Sequence, residues 1–269
     1  MSTPAPPLFA TLFDDAAVFP PGNAPLVDAI ARRLDRAGRD DETYVGPLLV
    51  PPRLVAEALS ATHPLPIVVV GRPGTPCDEI LDAAKTVAAH QLHSLSGIQL
   101  GHAPGWEAAL ELAVPVSVEL AAGDLTPLAA LAVHRGSVAG KLRTGATPDI
   151  PVPSPEQLAA FIAASLAGGL RFRLTGGLHF AVSHGDGEGR EFGFLNVIAA
   201  TAALQDGTDP HDAAALLDER SEAIVVERIR SITDPVRVRS AFASYGCCEV
   251  TDPIAEIRRL HLDTVEGTT

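Results

Sequence analysis

With 269 residues, 46% of them apolar, the chain can build one large core, and its formal net charge of −13 disfavours any broad nucleic-acid or anionic-membrane surface, which needs a basic patch. No apolar run approaches the roughly 18 residues that a membrane span requires, and 4% aromatic content gives no stacking platform for single-stranded nucleic acid. Three cysteines, Cys77, Cys247 and Cys248, are odd in number and lack metal-site spacing, which suits reduced thiols. The opening Met-Ser-Thr-Pro-Ala-Pro-Pro lacks the positive region and apolar run of a secretory signal, so a cytoplasmic location is expected.

In chain order, Leu8 to Phe13 reads as a strand running into Asp14 and Asp15, and Leu26, Val27, Ile30 and Leu34 recur at helical spacing between residues 24 and 37. Tyr44 to Val50 is a strand stopped by Pro51-Pro52, with a short helix from Arg53 to Ala61. Pro66 to Val70 is a third strand, followed by a helix from Asp78 to His90. Leu95 to Leu100 and Val114 to Leu120 are strands, with helical pieces from Trp106 to Leu112 and from Leu125 to His134. The sixth strand is Ser137 to Arg143. Ser154-Pro155 then opens a helix with a capping serine and a proline at its first position. Leu170 to Leu174 is the seventh strand. Ser183 to Gly193 reads as a mobile Gly-rich loop within an excursion from about 183 to 239. Buried helices are expected at Phe194 to Leu204 and Asp212 to Arg220, with an extra strand at Ala223 to Val226. Ser240 to Val250 is strand eight, Asp252 caps a last helix, and residues 263–269 read as a frayed tail.

Eight strand–helix units without hairpin turns argue for a parallel sheet, and eight repeats argue for closure, so the expected fold is α/β, a single (β/α)8 barrel of the TIM type. An open doubly wound sheet is the alternative. Its nucleotide fingerprint Gly-x-Gly-x-x-Gly does not follow the first strand, and no cofactor is expected.

A barrel of this kind places its active site at the carboxyl ends of the strands. That rule nominates Asp14 and Asp15 after strand one, Gln99 and His102 after strand four, and Glu119 on strand five. It also nominates Lys141, Arg143 and Thr144 from strand six, Arg173, Thr175 and His179 from strand seven, and Tyr245, Cys247 and Glu249 from strand eight. Residues two apart share a strand face, so Lys141 and Arg143 point inward together, as do Arg171, Arg173 and Thr175. The chain holds 18 Arg but only two Lys, at 85 and 141. Lysine, unlike arginine, loses its proton when buried and can then act as a nucleophile, which makes Lys141 the first candidate for chemistry. Arg143 and Arg173 are candidate clamps for an anion. The plain alternative pairs these cations with Glu119, Asp14 and Asp15 in a buried ionic network. Weaker candidates are a divalent ion at His179, His184, Asp186 and Glu188, one of the paired cysteines as a nucleophile beside His179, and Gly176-Gly177 as phosphate-binding N–H groups. Lys85 reads as a solvated surface charge.

The run Gly140-Lys141-Leu142-Arg143-Thr144-Gly145, the helix opening Pro-Ser-Pro-Glu-Gln, and Phe172-Arg173-Leu174-Thr175-Gly176-Gly177 together resemble the deoxyribose-phosphate aldolase family over about 40 residues. The resemblance implies a (β/α)8 class I aldolase in which Lys141 matches the Schiff-base lysine and Gly176-Gly177 the phosphate-binding turn. Two departures stand out. Arg173 occupies the place of the family's second lysine, and the third strand, Pro66 to Gly71, carries no aspartate where the family has one. The Phe-Asp-Asp-Ala-Ala opening and the Gly-Leu-His segment are also similar to those of a bacterial barrel group, a likeness that implies no activity.

The expected function is therefore that of an aldolase-like lyase acting on a small carbonyl or sugar-phosphate substrate. Lys141 is the nucleophile, Glu119 and Asp15 move protons, and Asp14, Gln99, Arg143, Thr144, Arg173, Thr175, Gly176, Gly177 and His179 bind substrate. Two alternatives stand beside it: an isomerase or lyase working through carboxylate acid–base pairs, and a non-catalytic ligand-binding barrel. The expected partner is a small anionic molecule, a homo-oligomer being compatible with the sequence.

Overall fold

Apolar strands that must be covered on their outer face by the helices between them, with no hairpin to end the sheet, satisfy their backbone hydrogen bonds completely only by closing on themselves. The computed structural model, which describes residues 5–264, shows that closure. The strands are β1 (Phe13–Asp15), β2 (Val45–Val50), β3 (Pro66–Val70), β4 (Ser94–Gly101), β5 (Val116–Leu120), β6 (Val138–Arg143), β7 (Arg171–Thr175) and β8 (Phe242–Cys247). All pair in parallel in sequence order, and β8 returns to β1. The chain is a (β/α)8 barrel.

The outer layer contains α1 (Leu26–Arg36), α2 (Val55–Ala58), α3 (Cys77–Ala88), α4 (Leu128–Ala132), α5 (Pro155–Ala167), α6 (Phe194–Gln205), α7 (Pro210–Asp218), α8 (Glu222–Arg230), α9 (Pro235–Ala241) and α10 (Thr251–Arg259). The Trp106–Leu112 segment between β4 and β5 is a 3₁₀ helix. Ser154 starts α5 as its residue type requires: its hydroxyl accepts from Gln157 N (3.2 Å) while the Gln157 amide oxygen accepts from Ser154 N (2.9 Å). Among the described residues no helix is long and apolar enough to cross a membrane.

The principal core lies between barrel and helices. Phe161, Phe172, Phe242, Tyr245, Phe13 and Phe194 run through it with successive ring centroids 4.8 to 6.3 Å apart, tying α5 and α6 to β7, β8 and β1. Edge-to-face rings of this kind add to the burial of their area.

Several expectations need correction. Leu8 to Leu12 is not strand: Phe9 and Ala10 donate to Pro6 O in a turn, and the apolar side chains pack as core. Their hydrophobicity reports burial rather than extension. Ala223 to Val226 lies inside α8, since four apolar residues are too few to reveal a period. Helix α9, unforeseen, leads directly into β8. Asp252 sits in the first turn of α10 rather than capping it. Where the Gly-rich segment 183–193 begins, Asn196 joins Ser183 to the end of α7. Its amide oxygen accepts from Ser183 N (2.9 Å), and its amide nitrogen donates to Leu216 O (2.8 Å) and Glu219 O (2.7 Å). Of the expected tail, residues 265–269 lie outside the described residues.

Candidate active site

Parallel register sets Glu119, Lys141 and Arg173 side by side on β5, β6 and β7. Three cations, Lys141, Arg143 and Arg173, thus meet two carboxylates, Glu119 and Asp14, inside the barrel. Deepest, Arg173 pairs with Asp14 and donates through Nε to Ser117 Oγ (3.1 Å), while Ser244 Oγ donates to Asp14 Oδ2 (2.6 Å). Closer to the cavity, Lys141 Nζ lies 2.7 Å from Glu119 Oε2, and Arg143 Nε donates to Glu119 Oε1 at 3.3 Å.

One carboxylate therefore serves two cations. Burial lowers the Lys141 pKa, and its share of Glu119 only partly restores it, so the amine sits below the ordinary lysine value. Burial pushes the Glu119 carboxyl up, but Lys141 and Arg143 outweigh it, and its pKa lies below the usual carboxylate range. These five groups together carry one positive charge in excess. Losing the lysine proton or admitting an anion both relieve it, whereas the arginines keep their charge.

Above this network opens a cavity of about 650 Å³, lined among others by Gln99, Lys141, Arg143, Thr175, Gly176, Gly177, His179 and Cys248, with Arg72 and Arg190 on its walls. That volume suits a small molecule. The Gln99 side chain is buried at 1% exposure, and its amide nitrogen has no hydrogen-bond acceptor among the described residues. A buried donor left unpaired is costly and marks a place where a ligand oxygen would fit.

The β7 turn forms one wall. Gly176 (φ +83°), Gly177 (φ +73°) and Leu178 (φ +64°) all lie in the left-handed region, a strain of order 1 kcal/mol or more at the leucine. A side chain on Gly145 would put its Cβ 2.8 Å from the Gly176 carbonyl carbon, so the β6 and β7 turns approach this closely only with glycine. Among the described residues the N–H groups of Gly176 and Gly177 donate to no protein acceptor. Past the turn, His179 Nε2 lies 3.2 Å from Cys248 Sγ, and Nδ1 lies 3.1 Å from Asp252 Oδ2.

The structure distributes the expected site residues unevenly. Gln99, Lys141, Arg143, Thr175, Gly176, Gly177 and His179 surround one cavity, and Glu119 backs Lys141. Asp15 turns the other way, because adjacent strand residues face opposite sides. It is buried against α1, paired with Arg36 at 2.5 Å and accepting from Ala17 N. Burial raises its pKa despite that partner. Asp14 and Arg173 are spent on each other below the cavity rather than lining it. The Thr144 hydroxyl donates to Gly176 O (2.7 Å), so it holds the turn instead of facing a ligand. On β8 the phase is also reversed: Tyr245 and Cys247 pack outward, while Ser244 and Gly246 face inward.

For the expected ion site, His184 stacks its edge on Phe180 and Asp186 pairs with Arg220, while the Glu188 side chain lies outside the described residues. Among the described residues no three His, Cys, Asp or Glu groups are placed to hold a metal ion. Sequence reasoning did not single out Arg36, Arg72, Arg190 or a bonding role for Asp252. Arginines spread over distant loops carry no local signal. No protein-family model matches the chain, and no curated protein matches it in sequence.

Proposed function

We propose that this barrel is an enzyme of the aldolase type, acting through a Schiff base at Lys141 on a small anionic carbonyl compound. The observation that carries the reading is a buried lysine on the cavity floor that shares its carboxylate partner, Glu119, with Arg143. Such an amine is readily deprotonated and becomes nucleophilic. Its nitrogen attacks the carbonyl carbon, Glu119 carries the proton that lets water leave, and a protonated imine results. Glu119, a carboxylate again, then takes the proton of a hydroxyl on the substrate's β carbon. The bond between the α and β carbons breaks, the β fragment leaves as an aldehyde, and the electron pair forms an enamine. The enamine takes that proton back on its α carbon before water releases the second product. Arg72, Arg143, Arg190 and the free N–H groups of Gly176 and Gly177 favour an anionic group on the substrate.

Acid–base chemistry by paired carboxylates fits less well, since Asp15 faces α1 and Glu119 alone reaches Lys141. Borohydride reduction with a panel of small aldehydes and keto acids tests the proposal. A mass adduct should map to Lys141 and disappear in Lys141→Met. Equal trapping by wild type and variant would remove the Schiff base from consideration. In Lys141→Arg, ligand binding should largely survive while turnover is lost; ligand binding unchanged in the variant, with no turnover by wild type either, would favour a mere binding barrel.

A further inference from the structure

The mechanism above leaves one cluster of reactive groups on the same cavity unused. Cys248 follows β8, and its sulfur lies 3.2 Å from Nε2 of His179, whose other nitrogen lies 3.1 Å from Asp252 on α10. That is the arrangement of a nucleophile, a base and a group that orients the base. Both Cys248 and His179 line the cavity. His179 is presented by the left-handed turn at Gly176 to Leu178, whose leucine is fully buried and anchors it. The Pro20-Pro21-Gly22 loop passes close to Cys248, and its prolines line the same cavity. A Cβ on Gly22 would stand 2.9 Å from Ala17 O and 3.1 Å from Cys248 Cβ, so the loop comes this close only with glycine there. The neighbouring Cys247 differs: it is fully buried, donates to Glu249 O, and burial raises its thiol pKa. Gln99, with its unpartnered amide nitrogen, points independently to an oxygen-bearing ligand in this cavity.

We infer that Cys248, His179 and Asp252 form a second reactive centre, a thiol nucleophile for a small ester or thioester. Cys248 and His179 are its catalytic residues, and Asp252 positions the imidazole. The Cys248 sulfur bonds to the acyl carbon after its proton passes to His179 Nε2, and the carbonyl pair moves onto oxygen. When that pair returns, the bond to the leaving alkoxide or thiolate breaks, and the leaving group takes the Nε2 proton. Water then adds to the thioester while His179 accepts its proton. The sulfur departs and regains that proton, releasing a carboxylic acid. Ester plus water gives acid plus alcohol, and nothing is oxidised or reduced. The contacts of Cys247 and Cys248 raise the His179 pKa against the effect of burial, so the ring holds the proton that it takes from Cys248. Asp252 is the charged group on His179 Nδ1, which the Cys247 sulfur also approaches at 3.7 Å, with Arg190 and Glu191 elsewhere on the cavity wall.

The full chain is mixed with p-nitrophenyl acetate, and the acetylated residue is located by fragment mass spectra. Expected is a burst of nitrophenolate of about one equivalent per chain, with the acetyl group on Cys248. Cys77→Ser should leave the burst unchanged, and Cys248→Ser should abolish it. An acetyl group confined to Cys77, Cys247 or lysine overturns the inference. Because location is read directly, an adduct on Cys248 and borohydride trapping on Lys141 succeed or fail separately. Iodoacetamide supplies a second measurement. At about pH 6.5, alkylation of Cys248 should fall roughly ten- to a hundred-fold in His179→Gln, because the base that takes the thiol proton is gone. Asp252→Asn should shift the alkylation pH profile towards that of His179→Gln, and Asp252→Glu should restore it in part. Superimposable profiles for wild type and His179→Gln overturn the inference.

Discussion

Replacing Lys141 by methionine keeps the length of an unbranched side chain but removes the ionisable amine. Because burial holds the lysine pKa of the folded protein below that of the unfolded chain, between the two values the unfolded chain binds the extra proton. Stability therefore rises with pH across that window, by at most about 1.4 kcal/mol per pH unit for one proton, and levels off near the ordinary lysine value of about 10.4. Lys141→Met has no such contribution. Its stability relative to wild type should be greatest at neutral pH and should decline as pH climbs towards that of free lysine. Urea unfolding of both proteins at a series of pH values, followed by circular dichroism, measures the difference. Glu119→Gln sharpens the assay, since attraction to Glu119 is the largest effect opposing burial. Without it the lower edge of the window should move to lower pH. If wild type and Lys141→Met kept a constant difference from about pH 7 to 11, the amine would titrate alike in folded and unfolded chains. The argument for a neutral, nucleophilic lysine would then fail.

Removing Arg173 strands the Asp14 carboxylate below the cavity with Ser244 as its remaining partner, so Arg173→Leu should lose about 3–5 kcal/mol. Adding Asp14→Asn should recover much of that, and a double-mutant cycle in urea showing additive losses would contradict the pairing. Asn196→Ala removes three hydrogen bonds, one buried and two half-buried, that tie residue 183 to the end of α7, and should cost about 3 kcal/mol with faster amide exchange from 183 to 193. Gln99→Leu eliminates a buried donor without an acceptor. It should raise the stability of the ligand-free protein by about 1–3 kcal/mol while weakening substrate binding, and a loss in thermal unfolding would show that the amide is already satisfied.

Much of this molecule was legible from order and period alone. Strands β2 to β7 lie within a few residues of their apolar runs, since each is bounded by proline, glycine or a helix cap. Eight such units close because closure is the arrangement that leaves no strand edge unpaired. The inward phase of β6 and β7 was equally readable, because Lys141, Arg143, Arg173 and Thr175 alternate with apolar neighbours that the outer core requires.

Phase was unreadable where a strand is short or its two faces look alike. In β1, two adjacent aspartates offer no alternation, and the three-residue strand starts later than its apolar prelude suggests. Only packing against α1 sends Asp15 to Arg36 and leaves Asp14 for Arg173. In β8, tyrosine and cysteine look polar enough to face inward. The aromatic layer of Phe13, Phe194 and Phe242 claims Tyr245 instead, and carries Ser244, Gly246 and the Cys248 thiol to the cavity side. The contact of that thiol with His179 spans 69 positions and joins the ends of two strands. Local periodicity thus determined the barrel and the inward lysine. Which carboxylate attends which cation, and which nitrogen of the histidine each cysteine meets, depended on the packing of the helices around it, because partners that far apart in sequence meet only once the barrel has closed.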